Sequence, residues 1–234
     1  FPLLSEQLAM LSNAIVLNPT TQKERGMCGI VGLFLKDSAL EPRLGSMLTD
    51  MLITMTDRGP DSAGIAIYGT EDPATSKLTV QSDTPDQAFA SLDADLSAEL
   101  GSKVHMRHKD THAVLHIPRG HLTAARTALA AINPDIRVMS SGDTVEIYKE
   151  VGLPKDVADR FDLRSMSGTH GIGHTRMATE SMVTTMGAHP FNTGPDQCLV
   201  HNGSLSNHNR LRRKRQREGN HIETENDKIG RAHV

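Results

Sequence analysis

The spacing of apolar positions changes abruptly along the chain. Gly29 to Leu35 (Gly-Ile-Val-Gly-Leu-Phe-Leu) is a short apolar run with polar flanks, and it predicts a buried strand starting directly after Cys28. Leu40, Leu44, Met47, Leu48, Met51, Leu52 and Met55 then follow the i, i+4, i+7, i+8 rhythm of one helix face, ending near Arg58-Gly59-Pro60. Strands are expected at Ala63 to Tyr68 and Leu78 to Gln81, and Phe89, Leu92, Leu96 and Leu100 mark a second amphipathic helix. From Ala113 to Val151 the pattern reads strand, helix (Leu122 to Ile132), strand (Ile136 to Met139) and strand (Thr144 to Tyr148). This resembles a small α+β insertion, closed by a helix over Leu153 to Leu163. Gly171 to Met177 and Gln197 to Val200 return to strand spacing, and Ser204 to Arg217 reads as a helix.

Composition narrows the classes. A chain of 234 residues fits one α/β-type domain with an insertion and can bury a sizeable core. With 37% hydrophobic and 23% charged residues and a net charge of -3, it reads as globular, neither disordered nor strongly basic. Aromatics are 3% with no Trp, so the core rests on Leu, Ile, Val, Ala and Met, and base-stacking platforms are disfavoured. The two cysteines are too few for a disulfide framework. No apolar run approaches the ~20 residues of a membrane span, and the first residues lack the basic start and apolar core of a secretion signal. A cytoplasmic location with no membrane association is expected.

The two ends differ from the middle. Residues 1 to 26 begin with Phe and run into polar Thr20-Thr21-Gln22-Lys23-Glu24-Arg25-Gly26, and are expected to be a leader or translated upstream sequence ahead of a start at Met27. Residues 228 to 234 (Lys-Ile-Gly-Arg-Ala-His-Val) read as a non-native tail, so the natural chain is expected to continue beyond Asp227, leaving a fragment truncated at its C-terminus.

The richest chemistry lies in Met27-Cys28-Gly29-Ile30-Val31-Gly32. Removal of Met27 would leave Cys28 with a free α-amine beside its thiol. Their ordinary pKa values, ~7.7 to 8.0 and ~8.5, let the amine take the thiol proton near neutrality. Nucleophile and base then sit in one residue. By itself a cysteine at a strand start is more often a small buried hydrophobe.

Three further motifs follow in order, each at the edge of an expected strand: Arg58-Gly59-Pro60-Asp61-Ser62-Ala63-Gly64, Gly173-His174-Thr175-Arg176-Met177-Ala178-Thr179 and His201-Asn202-Gly203-Ser204-Leu205. With the Cys28 motif, this set resembles the class II glutamine amidotransferases, which are N-terminal-nucleophile hydrolases. The resemblance covers about 27 to 69 and 165 to 227. It implies a four-layer αββα sandwich, an α+β fold, for a glutamine amidotransferase domain over 27 to 227 with an insertion at about 70 to 165.

The resemblance also implies roles. Cys28 would attack the side-chain amide of L-glutamine, release ammonia and leave a γ-glutamyl thioester for water to hydrolyse. Asn202, by its side-chain amide, and Gly203, by its backbone N–H, match the oxyanion hole. Without the other motifs, an Asn-Gly pair is by default a tight turn. Arg176 falls where the family binds the substrate α-carboxylate, which a guanidinium can grip bidentately, and otherwise reads as a surface ion-pair residue. Arg58 matches a residue that helps orient the nucleophile, and otherwise is a cation near a helix C-terminus. Asp227 sits where a family aspartate holds the α-amine, but Lys228 and Ile229 follow where the family has a small hydroxyl residue and an acid. The long segment between Gly64 and Gly173 and the wording Thr54-Met55-Thr56-Asp57-Arg58-Gly59-Pro60 look closest to stand-alone subunits related to the first domain of glutamate synthase, among them the amidotransferase-like subunit of N-methylglutamate synthase. Such a subunit needs a synthase partner holding the ammonia acceptor site, and has little glutaminase activity alone in the alternative reading. No cofactor is implied.

Two features admit other readings. Arg210, Arg212, Arg213, Lys214, Arg215 and Arg217 form a basic run that would bind polyanions nonspecifically, although a solvated helix face beside Glu218, Glu223, Glu225 and Asp227 accounts for it without specific nucleic-acid binding. His105, His108, His112 and His116 have spacings of three, four and four that would align on a helix. The strand-like character of Ala113 to Ile117 and the lack of a nearby cysteine or carboxylate pair favour dispersed surface histidines over a metal site.

Overall fold

The computed structural model describes residues 28–177, 182–203, 210, 213, 214 and 217. The expected leader, most of the 204–217 helix, Asp227 and the expected tail lie outside the described residues. The elements are β1 (Gly29–Phe34), α1 (Leu44–Ile53), β2 (Ser62–Tyr68), β3 (Thr75–Gln81), α2 (Pro85–Ala88), α3 (Leu92–Leu100), β4 (His105–Lys109), β5 (His112–Pro118), α4 (Leu122–Ile132), β6 (Arg137–Gly142), β7 (Val145–Val151), α5 (Pro154–Arg160), β8 (His170–Arg176), β9 (Phe191–Gly194) and β10 (Gln197–Leu199).

Among the described residues the strands form two four-stranded antiparallel sheets, in the orders β1-β8-β2-β7 and β4-β5-β3-β6, and a separate hairpin of β9 and β10. The fold is thus α+β. The stretch from 70 to 165, expected as an insertion, carries all four strands of the second sheet and the β7 edge of the first.

Strand alternation decides which side chains meet. On β2, Ala63, Ile65 and Ile67 point one way and join Val31, the α1 residues Leu44, Leu48 and Leu52, and Val157, Ala158 and Phe161 at α5. Ala66 and Tyr68 point the other way, into a cluster with Val145, Ile147 and Met139. On the second sheet Leu78, Val80, Ala113, Leu115 and Ile117 pack against Leu92 and Leu96 of α3 and Ala125 and Leu129 of α4. Each fully buried leucine of this kind contributes about 1.5–3 kcal/mol.

Two expected elements come out differently. The helix expected over Leu40 to Met55 is split into a 3-10 turn, Ser38–Arg43, and α1, because Pro42 in the turn lacks an N–H donor and its ring obstructs a continuous α-helix. The turn is capped by Asp37, whose carboxylate accepts the Ala39 N–H at 3.0 Å. The helix expected from Phe89 begins only at Leu92, with Phe89 buried between α2 and α3. Strands β4 and β9 carry little apolar alternation and were not expected; β4 is the polar edge of its sheet.

Charged side chains join the two sheets. Glu146 of β7 is buried and meets Lys77 of β3 at 2.9 Å, Arg107 of β4 at 2.6 Å and the Tyr148 hydroxyl at 2.6 Å. Burial alone would raise its pKa, but Lys77 and Arg107 outweigh that and hold the carboxyl below its ordinary value. Arg160 and Thr111 similarly converge on Glu150.

His112 of β5 is fully buried, its ring 4.8 Å from that of Phe161. Burial, then the charges of Lys149 and Arg160, pushes its pKa from 6.5 down to about 3. The folded protein keeps this ring neutral, whereas the unfolded chain binds a proton below 6.5, so the stability concerned is full above that pH and is lost as pH falls toward about 3. In His112→Phe, urea titrations should show a pH slope of unfolding free energy shallower than wild type by about 1.4 kcal/mol per pH unit near pH ~5. An unchanged slope would contradict the neutral buried ring.

Among the described residues no helix is long and apolar enough to cross a membrane. The four histidines expected as dispersed at the surface lie on β4 and β5, not on a helix, with His105 opposite His116, and His112 is buried rather than at the surface because it sits on the β5 face packed against Tyr148 and Phe161. No group of three or more His, Cys, Asp or Glu among the described residues is arranged to hold a metal ion.

Candidate functional site

Strand pairing brings the start of the described chain beside Ser62 and Arg176. β1 pairs with β8 in the register Gly29↔Thr175, and β8 pairs with β2 in the register Ser62↔Arg176. Three of the four motifs therefore abut at one end of one sheet. Cys28 precedes β1 and is buried, with Sγ 3.9 Å from the Met177 carbonyl oxygen. Continuing the β1–β8 register sets the Cys28 backbone alongside Arg176.

Thr175 ties three segments at this point. Its Oγ1 accepts the Gly29 N–H at 3.1 Å and donates to the Met55 carbonyl at 3.3 Å. The approach is possible because residue 29 is glycine: a Cβ there would lie 2.8 Å from Thr175 Oγ1 and 2.9 Å from Met55 Cβ. The N–H of the strand's first peptide is thereby tied to the segment at Met55.

Arg176 is 4% exposed although it carries a charge, and its Nη1 donates to the Met182 carbonyl at 3.3 Å. Its own carbonyl accepts the Asp61 N–H at 3.1 Å, and Pro60 bridges to it, so the glycine-flanked loop lies against the Arg176 backbone. Arg58, at the end of the 3-10 turn Thr56–Arg58, belongs to this loop, but its side chain is exposed.

The fourth motif arrives from the segment after β10. The Asn202 side-chain amide donates through Nδ2 to the Cys28 carbonyl at 2.6 Å, across 174 positions of sequence. Gly203 follows at a φ of 140°. Behind them, His174 Nε2 lies 3.2 Å from the His201 carbonyl oxygen, and the His174 ring stands 4.3 Å from that of His189.

The structure thus brings Cys28, Arg176, Asn202 and Gly203 to one end of the first sheet and sets the Arg58 loop beside them. Asp227 lies outside the described residues. Sequence reading assigned nothing to Thr175 or Lys149. Thr175 was within reach, since it immediately precedes the singled-out Arg176 on the same strand; Lys149 left only one signal, a lysine inside an otherwise buried strand pattern. Of the basic run, Arg210, Arg213, Lys214 and Arg217 are helical and exposed.

No protein-family model matches the chain. It is 67% identical over 201 residues to the glutamine amidotransferase-like protein GlxB of Rhizobium meliloti, covering 86% of this chain and 66% of that protein. It is 34% identical over 211 residues to the "Putative glutamine amidotransferase" of Methanothermobacter thermautotrophicus, covering 86% of this chain and 69% of that one. A shorter stretch of 99 residues, 42% of this chain and 16% of the other, is 32% identical to the glutamine–fructose-6-phosphate aminotransferase (isomerizing) of Idiomarina loihiensis. The chain thus spans about two thirds of the length of the first two relatives. On this likeness, the chain belongs to the glutamine amidotransferase family.

Proposed function

We propose that the chain is a class II amidotransferase domain that hydrolyses the side-chain amide of L-glutamine to glutamate and ammonia, with Cys28 as an N-terminal nucleophile. The observation that carries this reading is the 2.6 Å bond from Asn202 to the Cys28 carbonyl, which sets an amide donor against the residue whose thiol would react. The fold proposed with it is the four-layer αββα sandwich of the N-terminal-nucleophile hydrolases. Helices α1 and α5 on the first sheet and α3 and α4 on the second support that layering.

The Cys28 α-amine takes the thiol proton, and the thiolate adds to the amide carbon of glutamine. The resulting oxyanion is met by Asn202 Nδ2 and the Gly203 N–H. An amide nitrogen has two hydrogens, so Asn202 can hold the Cys28 carbonyl with one and the oxyanion with the other. Collapse returns the proton to the leaving nitrogen, ammonia departs, and water then hydrolyses the thioester to glutamate. Arg176 pairs with the α-carboxylate, Asp227 with the α-amine, and Arg58 orients the nucleophile. The ammonia passes to a partner synthase subunit, of the glutamate synthase or N-methylglutamate synthase kind.

Mass spectrometry tests the nucleophile and its base together. A glutamine-mimicking electrophile is offered to the chain beginning at Cys28 and to the chain beginning at Phe1. Label is expected on Cys28 in the first chain only. Label on another residue, or none in a Cys28-initiated chain extended past Asp227 to its relatives' length, overturns the reading.

A further inference from the structure

Between β8 and β9, residues Met182–Pro190 cross the first sheet as a strap, and two successive β7 residues hold it. Lys149, only 3% exposed, directs its ammonium at three strap carbonyls: Ala188 at 3.0 Å, Met186 at 3.4 Å and Pro190 at 3.4 Å. An ammonium has three N–H donors and no acceptor, so three convergent carbonyls match it in number. Glu150, the next residue, accepts the Thr185 hydroxyl. The strap can lie close against the sheet because position 64 is glycine; a Cβ there would stand 2.0 Å from the His189 carbonyl oxygen.

The same strap borders Arg176. Met182, at its start, accepts from Arg176 Nη1 at 3.3 Å, and a Cβ on Gly187 would stand 3.3 Å from that nitrogen. Gly187 lies between two of the residues whose carbonyls Lys149 holds, Met186 and Ala188. Moving those carbonyls moves the wall beside the guanidinium.

We propose that Lys149 is a positioning residue for substrate binding: by pinning the Met182–Pro190 strap it fixes the wall around the Arg176 guanidinium, and so the place where the α-carboxylate of an amino-acid substrate is gripped. This rests on the role given to Arg176 above. Lys149 touches no reacting atom, so its loss weakens recognition of the carboxylate and leaves the thiol as reactive as before.

The Cys28-initiated chain, extended past Asp227 to its relatives' length, is treated with two probes. Iodoacetamide is a small electrophile without a carboxylate and reads the thiol alone; a glutamine-mimicking electrophile with its α-amino acid group reads thiol and grip together. In Lys149→Met the concentration of analogue giving half-maximal labelling, and the KM for glutamine, should rise about tenfold or more, with iodoacetamide alkylation within about twofold of wild type. Lys149→Arg, which restores N–H donors, should recover part of the loss. Unchanged KM in a folded Lys149→Met, or both probes slowing together, overturns the proposal. Should Lys149→Met not fold, Gly187→Ala decides, because it leaves Lys149 intact and pushes a methyl group toward Arg176; the same split is expected, and a KM within about twofold of wild type overturns the proposal. A wild-type chain that iodoacetamide labels and the analogue does not overturns the amidotransferase reading itself.

Discussion

Replacing Cys28 with alanine should reduce glutamine hydrolysis by about 10⁴-fold or more, the order of loss that follows removal of a nucleophile. Stability should change by less than about 1 kcal/mol, because the polar contact of the thiol is a 3.9 Å approach to the Met177 carbonyl and the strand is anchored through Gly29 and Thr175. Circular dichroism and a thermal melt establish the second point, and ammonia release with glutamine in excess establishes the first. Acetylating the Cys28 α-amine should have nearly the same effect with the thiol intact, since it removes the base. Glutaminase activity surviving in a folded Cys28→Ala protein would falsify the assignment of the nucleophile, and full activity in the acetylated protein would assign the base elsewhere.

Asn202→Ala should lower kcat by about 10²–10³-fold with a much smaller change in KM, because an oxyanion donor acts on charge that develops in the transition state. Asn202 also holds the Cys28 carbonyl at 2.6 Å, so alanine loses two interactions together. Asn202→Asp separates packing from donation. The shape is kept, but an ionised carboxylate has no hydrogen to donate and places negative charge beside both the Cys28 carbonyl and the oxyanion. Its kcat should be no better than that of the alanine variant. A kcat within about threefold of wild type in either protein, with initial rates measured at saturating glutamine, would remove Asn202 from the oxyanion hole.

Much of the fold was legible where side-chain spacing is itself the cause of structure. The β1, β2, β5, α4, β7 and β8 segments read correctly, α4 by an apolar face at helical spacing and the strands as short runs that bury one face or, as in β2, both. Pro42 was visible in the sequence, yet the apolar rhythm from Leu40 to Met55 masked its effect, and α1 begins only after it. β4 was not legible because His-Met-Arg-His-Lys has no buried face of its own; it exists by pairing with β5 at the sheet edge.

The candidate site divides in the same way. Cys28, Arg176, Asn202 and Gly203 were singled out by motif, since thiol, guanidinium and amide advertise their chemistry in the residue type. Lys149 was not, because what defines it is three backbone carbonyls 37, 39 and 41 positions away, and a carbonyl leaves no mark in an amino-acid sequence.

By itself, then, the sequence determined which reactive groups the protein possesses and which segments bury an apolar face, because both are properties of side chains and their spacing. Only the tertiary structure decided that β1 pairs with β8, that Asn202 reaches the Cys28 carbonyl across 174 positions, and that Lys149 grips the strap beside Arg176. Those are contacts between distant segments, made largely through backbone atoms that every residue carries alike, so no local pattern distinguishes the partners until the sheets have formed.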